Sequence, residues 1–435
     1  MIRGQFDVEV TRDGSLHDPA QVTALLRGCD KASDLLVLCH GWNNDVAEAR
    51  RLYDGFLRSL SELKQPRSGP GSRIAVMRVF WPSKKFADEQ LIPGGGAASA
   101  HQENDTALVE LLTSLRADPA RLGAEGARPD RAASLDRAIA VVPDLEDSSA
   151  ARQEFVLRIR SVLNPDDVHA DDASQEFFAL EPEELFDRFG QEVPLQLEVG
   201  QGGVAAVGEG GAAFLGDMLS GARSAARRIA NYATYYQMKS RAGTVGRGGV
   251  AATLNRVRDR SSQLPMHLVG HSFGGRVMVS AAAALEPGGG PVTLSLLQAA
   301  FSHNGLAEDF DGERDGAFRT VLRDRRVTGP VVITHTKADR AVGVAYPLAS
   351  RIARDNAAAL GDRDDPYGGM GRNGAQHTPE VSEDETVLRR MEADSTYSFA
   401  RGKVYNLLAD GVIADHGDVA GVPVANAVLQ VMRTA

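Results

Sequence analysis

Short apolar runs with little polar alternation recur along the chain. Residues 35–39, Leu35-Leu36-Val37-Leu38-Cys39, are the clearest. A run of this kind predicts a strand covered on both faces. Residues 74–81, 266–270, 292–300, 331–335 and 404–408 have the same character. Residues 6–10 alternate instead and predict an edge strand. Helical patterns fall between these runs. Residues 19–28 predict a short helix, and Asp45 is placed to N-cap another running to about residue 62. The small residues of 276–285 predict a helix packed closely on a sheet, and residues 419–433 a closing helix. Strands alternating with helices predict an α/β fold, with a mostly parallel central sheet and helices on both faces.

The alternation is interrupted between Trp81 and Met266. This stretch is Gly-rich at 94–96, 200–212 and 242–249, and acidic and helix-like through 144–189. The expected organisation is a core formed by 1–84 and 263–435, with 85–262 inserted as a mainly helical cap or lid. Residues 220–241 hold strong helix formers with Tyr232, Tyr235 and Tyr236, and are expected to pack back on the core. The polar segment 361–385 predicts a loop.

Composition narrows the function classes. Of 435 residues, 43% are hydrophobic and 24% charged, as in ordinary soluble globular proteins. The formal net charge of -10 argues against a nucleic-acid partner, which requires clustered Lys and Arg. Two cysteines, Cys29 and Cys39, are too few for a disulfide scaffold or a four-cysteine zinc site. No segment has the length of a membrane span, and the opening residues lack a secretory pattern, so the expected location is cytoplasmic.

The chemistry concentrates in Gly270-His271-Ser272-Phe273-Gly274-Gly275. With 45 glycines in the chain, a G-x-S-x-G pentad is weak by itself. Its context is specific: an apolar strand leads in and a small-residue helix leads out, as a nucleophile elbow requires. Ser272 is therefore the candidate nucleophile. Oxyanion stabilisation needs two main-chain N–H donors, one of them just after the nucleophile. Phe273 supplies that one. Trp42 of His40-Gly41-Trp42 is the candidate for the second, with Asn43 as the next choice. The alternative for this loop is a plain strand-to-helix turn.

A serine nucleophile needs an acid after a late strand and a histidine after the last one. Asp339 follows 331–335; Asp309 and Asp311, after the preceding strand, compete with it. Asp339 could instead cap a helix at 341–354. Of the ten histidines, His416 alone lies beyond 404–408, which makes it the candidate base. His303 and His335 follow strands on the same edge and are candidates for substrate contact. His271 is expected to point away from the Ser272 hydroxyl, and His40 to fix its loop.

Leu38-Cys39-His40-Gly41-Trp42-Asn43-Asn44, Phe80-Trp81-Pro82-Ser83 and the pentad around Ser272 together resemble the esterase- and lipase-like α/β-hydrolases. The likeness is to a branch with an H-G-aromatic-N-N loop and a W-P-S strand end. It covers roughly 34–84 and 264–435 and leaves 85–260 unexplained. The resemblance implies the α/β-hydrolase fold and an acyl-transfer triad of Ser272, Asp339 and His416, with no cofactor and no metal. The expected activity is hydrolysis of a small-molecule carboxylic ester. The alternatives are amide or peptide cleavage by the same triad, or a non-catalytic binding scaffold of that fold. A triacylglycerol lipase is less supported, since no concentrated apolar lid helix is visible.

Overall fold

The fold comes from a computed structural model that describes residues 2–42, 44–63, 72–83, 100–117, 130–190, 221–339, 365–383, 386–388 and 396–435. Asn43, the Gly-rich stretches 94–96 and 200–212, and the helix considered at 341–354 lie outside the described residues. The chain divides into two compact units. The first comprises Met1–Lys84, Met238–Gly343 and Gly368–Ala435, and the second Lys85–Gln237 and Val344–Tyr367. Residues 238–262 thus cluster with the first unit and 344–367 with the second.

The first unit is built on an eight-stranded sheet. Its strands are β1 (Ile2–Glu9), β2 (Asp34–Cys39), β3 (Ile74–Phe80), β4 (Met266–His271), β5 (Val292–Leu297), β6 (Val331–His335), β7 (Thr386–Val387) and β8 (Val404–Leu408). Their order is β1-β3-β2-β4-β5-β6-β8-β7, and every adjacent pair is parallel. β2 and β5 are buried along their whole length, which explains their unbroken apolar sequence.

The order places β2 beside β4, with Cys39 paired with Gly270. The chain steps from β2 to β3 in one direction and from β3 to β4 in the other. In open parallel sheets, loops at the carboxyl ends of such a switch point form the ligand site. The loops after β2 and β4 carry the two glycine motifs.

Helix Val46–Glu62 begins with a capping box: the Asp45 carboxylate accepts the Glu48 N–H at 2.8 Å, and the Glu48 carboxylate accepts the Asp45 N–H at 2.6 Å. Its Tyr53, Phe56, Leu57 and Leu60 share one hydrophobic cluster with Val424, Val428, Val431 and Met432 of helix Val422–Thr434. Each such burial stabilises the fold by about 1.5–3 kcal/mol. At the amino ends of the central strands, His267 bridges Asp34 at 3.1 Å and Thr293 at 2.9 Å, and the Ser33 hydroxyl donates to Asp34 at 2.5 Å. This buried, bonded network ties β2, β4 and β5 together at the end of the sheet opposite Ser272.

The described part of the second unit is helical. Tyr232 packs on Phe177 (4.6 Å between ring centroids) and on Phe189 (6.1 Å), and the Tyr236 hydroxyl donates to the Asn164 carbonyl at 2.6 Å. Among the described residues no helix is long and apolar enough to cross a membrane.

Candidate active site

All the candidate residues belong to the first unit. The chain leaves β4, turns at Ser272 with φ 55° and ψ -125°, and enters helix Phe273–Ala283. A non-glycine residue at positive φ is strained and persists only where its surroundings over-determine it. Here they do. Ser272 N–H donates to Leu297 O at 3.0 Å, and its carbonyl accepts from Gly275 at 2.9 Å and Ala300 at 3.1 Å. The flanking glycines are steric requirements. A Cβ on Gly270 would lie 2.3 Å from Gly274 O, and one on Gly274 would lie 2.3 Å from Cys39 O. Phe273 is the first residue of the helix, so its N–H belongs to the turn whose donors point out of the helix end.

The loop after β2 presses on the elbow. A Cβ on Gly41 would meet the Cβ of Ser272 at 2.7 Å. The W-P-S strand end holds this loop. Trp81 Nε1 donates to His40 O at 3.0 Å, and its ring stacks on His40 at 5.8 Å. The Ser83 hydroxyl donates to Asn44 O at 2.9 Å. His40 N–H donates to the Tyr53 hydroxyl at 2.8 Å, which in turn donates to Val79 O. Burial lowers the His40 imidazole from 6.5 to about 4, so it is neutral and suited to fixing the loop. The Trp42 ring meets Phe273 edge-on at 5.8 Å.

Asp339 and His416, 77 positions apart, come together: His416 Nδ1 lies 2.8 Å from Asp339 Oδ2. Asp339 is fully buried, and the His416 side chain is 23% exposed. Among the described residues no hydrogen bond of the Ser272 hydroxyl is seen; the link from this turn to His416 runs through His271. Serine–imidazole bonds commonly form only once a substrate closes the site. The competing acids lie elsewhere: Asp311 is held by Arg314 at 2.6 Å, and Asp309 is an exposed turn residue at φ 51°.

His271 links the turn at Ser272 to His416. Its Nε2–H donates to the His416 carbonyl at 2.7 Å, and the two rings are 4.9 Å apart. Burial, and next the neighbouring His416, lower His271 from 6.5 to about 3, so it stays neutral beside His416. His303 is enclosed, with Nδ1 3.1 Å from the Asn373 amide. His335 ends β6, 8% exposed. Gln298 went unnoticed in the sequence, although it is the one amide in the run 292–300. Its Nε2 donates to the same Asp339 oxygen at 3.0 Å.

Cys29 and Cys39 are separate buried thiols. Among the described residues no group of three or more His, Cys, Asp or Glu is placed to hold a metal ion. The arrangement offers an exposed edge of imidazole, a buried carboxylate that orients it, and a serine on a strained turn.

Comparison with known proteins adds no identity: no protein-family model, curated protein or solved structure gives a significant match to the chain.

Proposed function

We propose that the chain is a serine hydrolase of the α/β-hydrolase type that cleaves a carboxylic ester through an acyl-enzyme. The observation that carries this reading is the backbone of Ser272, held at positive φ between the central strand and a helix N-terminus. Acid–histidine pairs occur in many structural settings, whereas a strained serine at this position has a recognised chemical use. The Asp339–His416 pair, tied through the His416 carbonyl to the residue before Ser272, supports the same reading.

In the proposed reaction His416 Nε2 takes the Ser272 hydroxyl proton as Oγ attacks the acyl carbonyl. The N–H groups of Phe273 and Trp42 hold the oxyanion. Asp339 keeps the proton on Nδ1 and stabilises the imidazolium without accepting that proton. The tetrahedral adduct expels the alkoxide, which leaves with the proton from His416. Water then gives a proton to His416 and its oxygen attacks the acyl carbon, releasing the acid and restoring Ser272. His335 is assigned to substrate contact, and the enclosed His303 to holding the loop around Asn373.

Turnover of p-nitrophenyl esters and of matching anilides by wild type and Ser272→Ala tests the reading. Ester turnover lost by at least ~10³-fold in the variant is expected. Comparable anilide turnover would move the assignment to an amidase. A folded wild type inactive on both would contradict hydrolysis and favour a binding scaffold.

A further inference from the structure

Gln298 is a costly residue for a purely structural role. It follows β5 directly and takes φ 45°, in the left-handed region, although it is not glycine. Its side chain is fully buried. Nε2 donates to Asp339 Oδ2 at 3.0 Å and to Gly371 O at 3.1 Å. Both neighbours are acceptors, so the orientation of the amide is forced, and Oε1 is left without a hydrogen-bond partner. A strained backbone and a bare buried carbonyl are tolerated together where a site needs the group they deliver.

What they deliver is one N–H on the oxygen that His416 Nδ1 also uses. The main chain of Gln298 is fixed as well: its N–H donates to the Thr334 hydroxyl at 3.1 Å. Gly371 O accepts from Thr336 N–H at 3.0 Å, and Asp339 N–H donates to Thr336 O at 3.2 Å. One amide therefore joins the end of β5, the 368–374 segment and the acid loop.

Resting on the hydrolase reading above, we propose that Gln298 is a positioning residue that aims the Asp339 carboxylate at His416 and limits its pull on the imidazole proton. A donor on Oδ2 shares the carboxylate charge. Without it the carboxylate favours the protonated imidazole more strongly. Other ionisable groups face this pair. His271 comes from the elbow, Asp410 from the end of β8 through Thr336, and Arg372 from the 368–374 segment through Lys337 O. Asp415 and Asp418 lie within the base loop, where each accepts a main-chain N–H.

The test uses the full chain carrying Gln298→Met, which keeps the length of the side chain and removes the amide donor, and Gln298→Leu. The first readout is the pH midpoint at which the His416 ring resonances titrate by 15N NMR. The second is the pH profile of kcat/KM on a p-nitrophenyl ester. Gln298→Met leaves Oδ2 without its amide donor, so the midpoint and the acidic limb rise together by about one pH unit. KM stays within about twofold, because no substrate contact is lost. Gln298→Leu moves both in the same direction. A midpoint unchanged in folded Gln298→Met and Gln298→Leu, with only a lower melting temperature, would overturn the proposal. A wild type inactive on esters would sink the hydrolase reading instead, and the NMR midpoint would still decide the role of Gln298.

Discussion

Single atoms set the geometry around Ser272. Gly41 has no room for a methyl group, because its Cβ would stand 2.7 Å from the Cβ of Ser272. Gly41→Ala must push the loop off the elbow and take the Trp42 N–H with it. A displacement near 1 Å at a reacting centre costs about 10²-fold in rate. We therefore expect kcat/KM on a p-nitrophenyl ester to fall by about that factor in Gly41→Ala; unchanged kinetics would remove the loop from the site. The acid is tested the same way. Asp339→Asn keeps the shape but favours the wrong imidazole tautomer, and kcat is expected to fall by about 10⁴-fold. Asp311→Asn, at a residue bound to Arg314, leaves kcat unchanged. The reverse outcome would reassign the acid. At this scale the sequence showed residue order and type: Ser272, Asp339 and His416 stand out by their place after strands, and the structure brings Asp339 and His416 together. Gln298 did not, because a polar residue inside an apolar run signals nothing until its backbone angle and its partner are seen.

At the scale of elements, continuous apolar runs were legible because strands buried on both faces need no alternation. The differences have local causes. The run 292–300 predicts a strand to Ala300, but β5 stops at Leu297 because Gln298 turns to positive φ. The helix expected from 276 begins at Phe273, since Gly274 and Gly275 serve close packing within the helix rather than a longer turn. β7 has only two residues and left no pattern to read. The edge strand starts at Ile2 and not at Phe6, because it pairs with β3 along nearly its whole length. The capping box was half visible as Asp45; its partner Glu48 completes it. Asp45→Ala removes that cap, and urea unfolding should show a loss of about 1 kcal/mol. A loss below the error of the method would mean that packing alone holds this end of the helix.

For the whole molecule, pH links the site to stability. His40 and His271 are lowered from 6.5 to about 4 and about 3, so the folded chain binds fewer protons than the unfolded chain between those values and 6.5. Their contribution is fully present above pH 6.5 and is lost as pH falls below it. The unfolding free energy should drop by about 1.4 kcal/mol per pH unit for each histidine in that window. Urea titrations at pH 7.5 and 5.5 check this. His271→Gln, which keeps an amide donor for the His416 carbonyl, should remove one share of the slope, and an unaltered slope would refute the assignment. The parallel sheet, with its switch point between β2 and β4, brings residues distant in the chain to one edge, and the chemistry proposed for that edge stands or falls with Ser272. The most direct measurement is labelling of the full-length protein with a fluorophosphonate, followed by mass-spectrometric location of the adduct. One adduct is expected, on Ser272, absent from folded Ser272→Ala and strongly slowed in His416→Ala. No adduct on folded wild type, or an adduct on another residue, would contradict it.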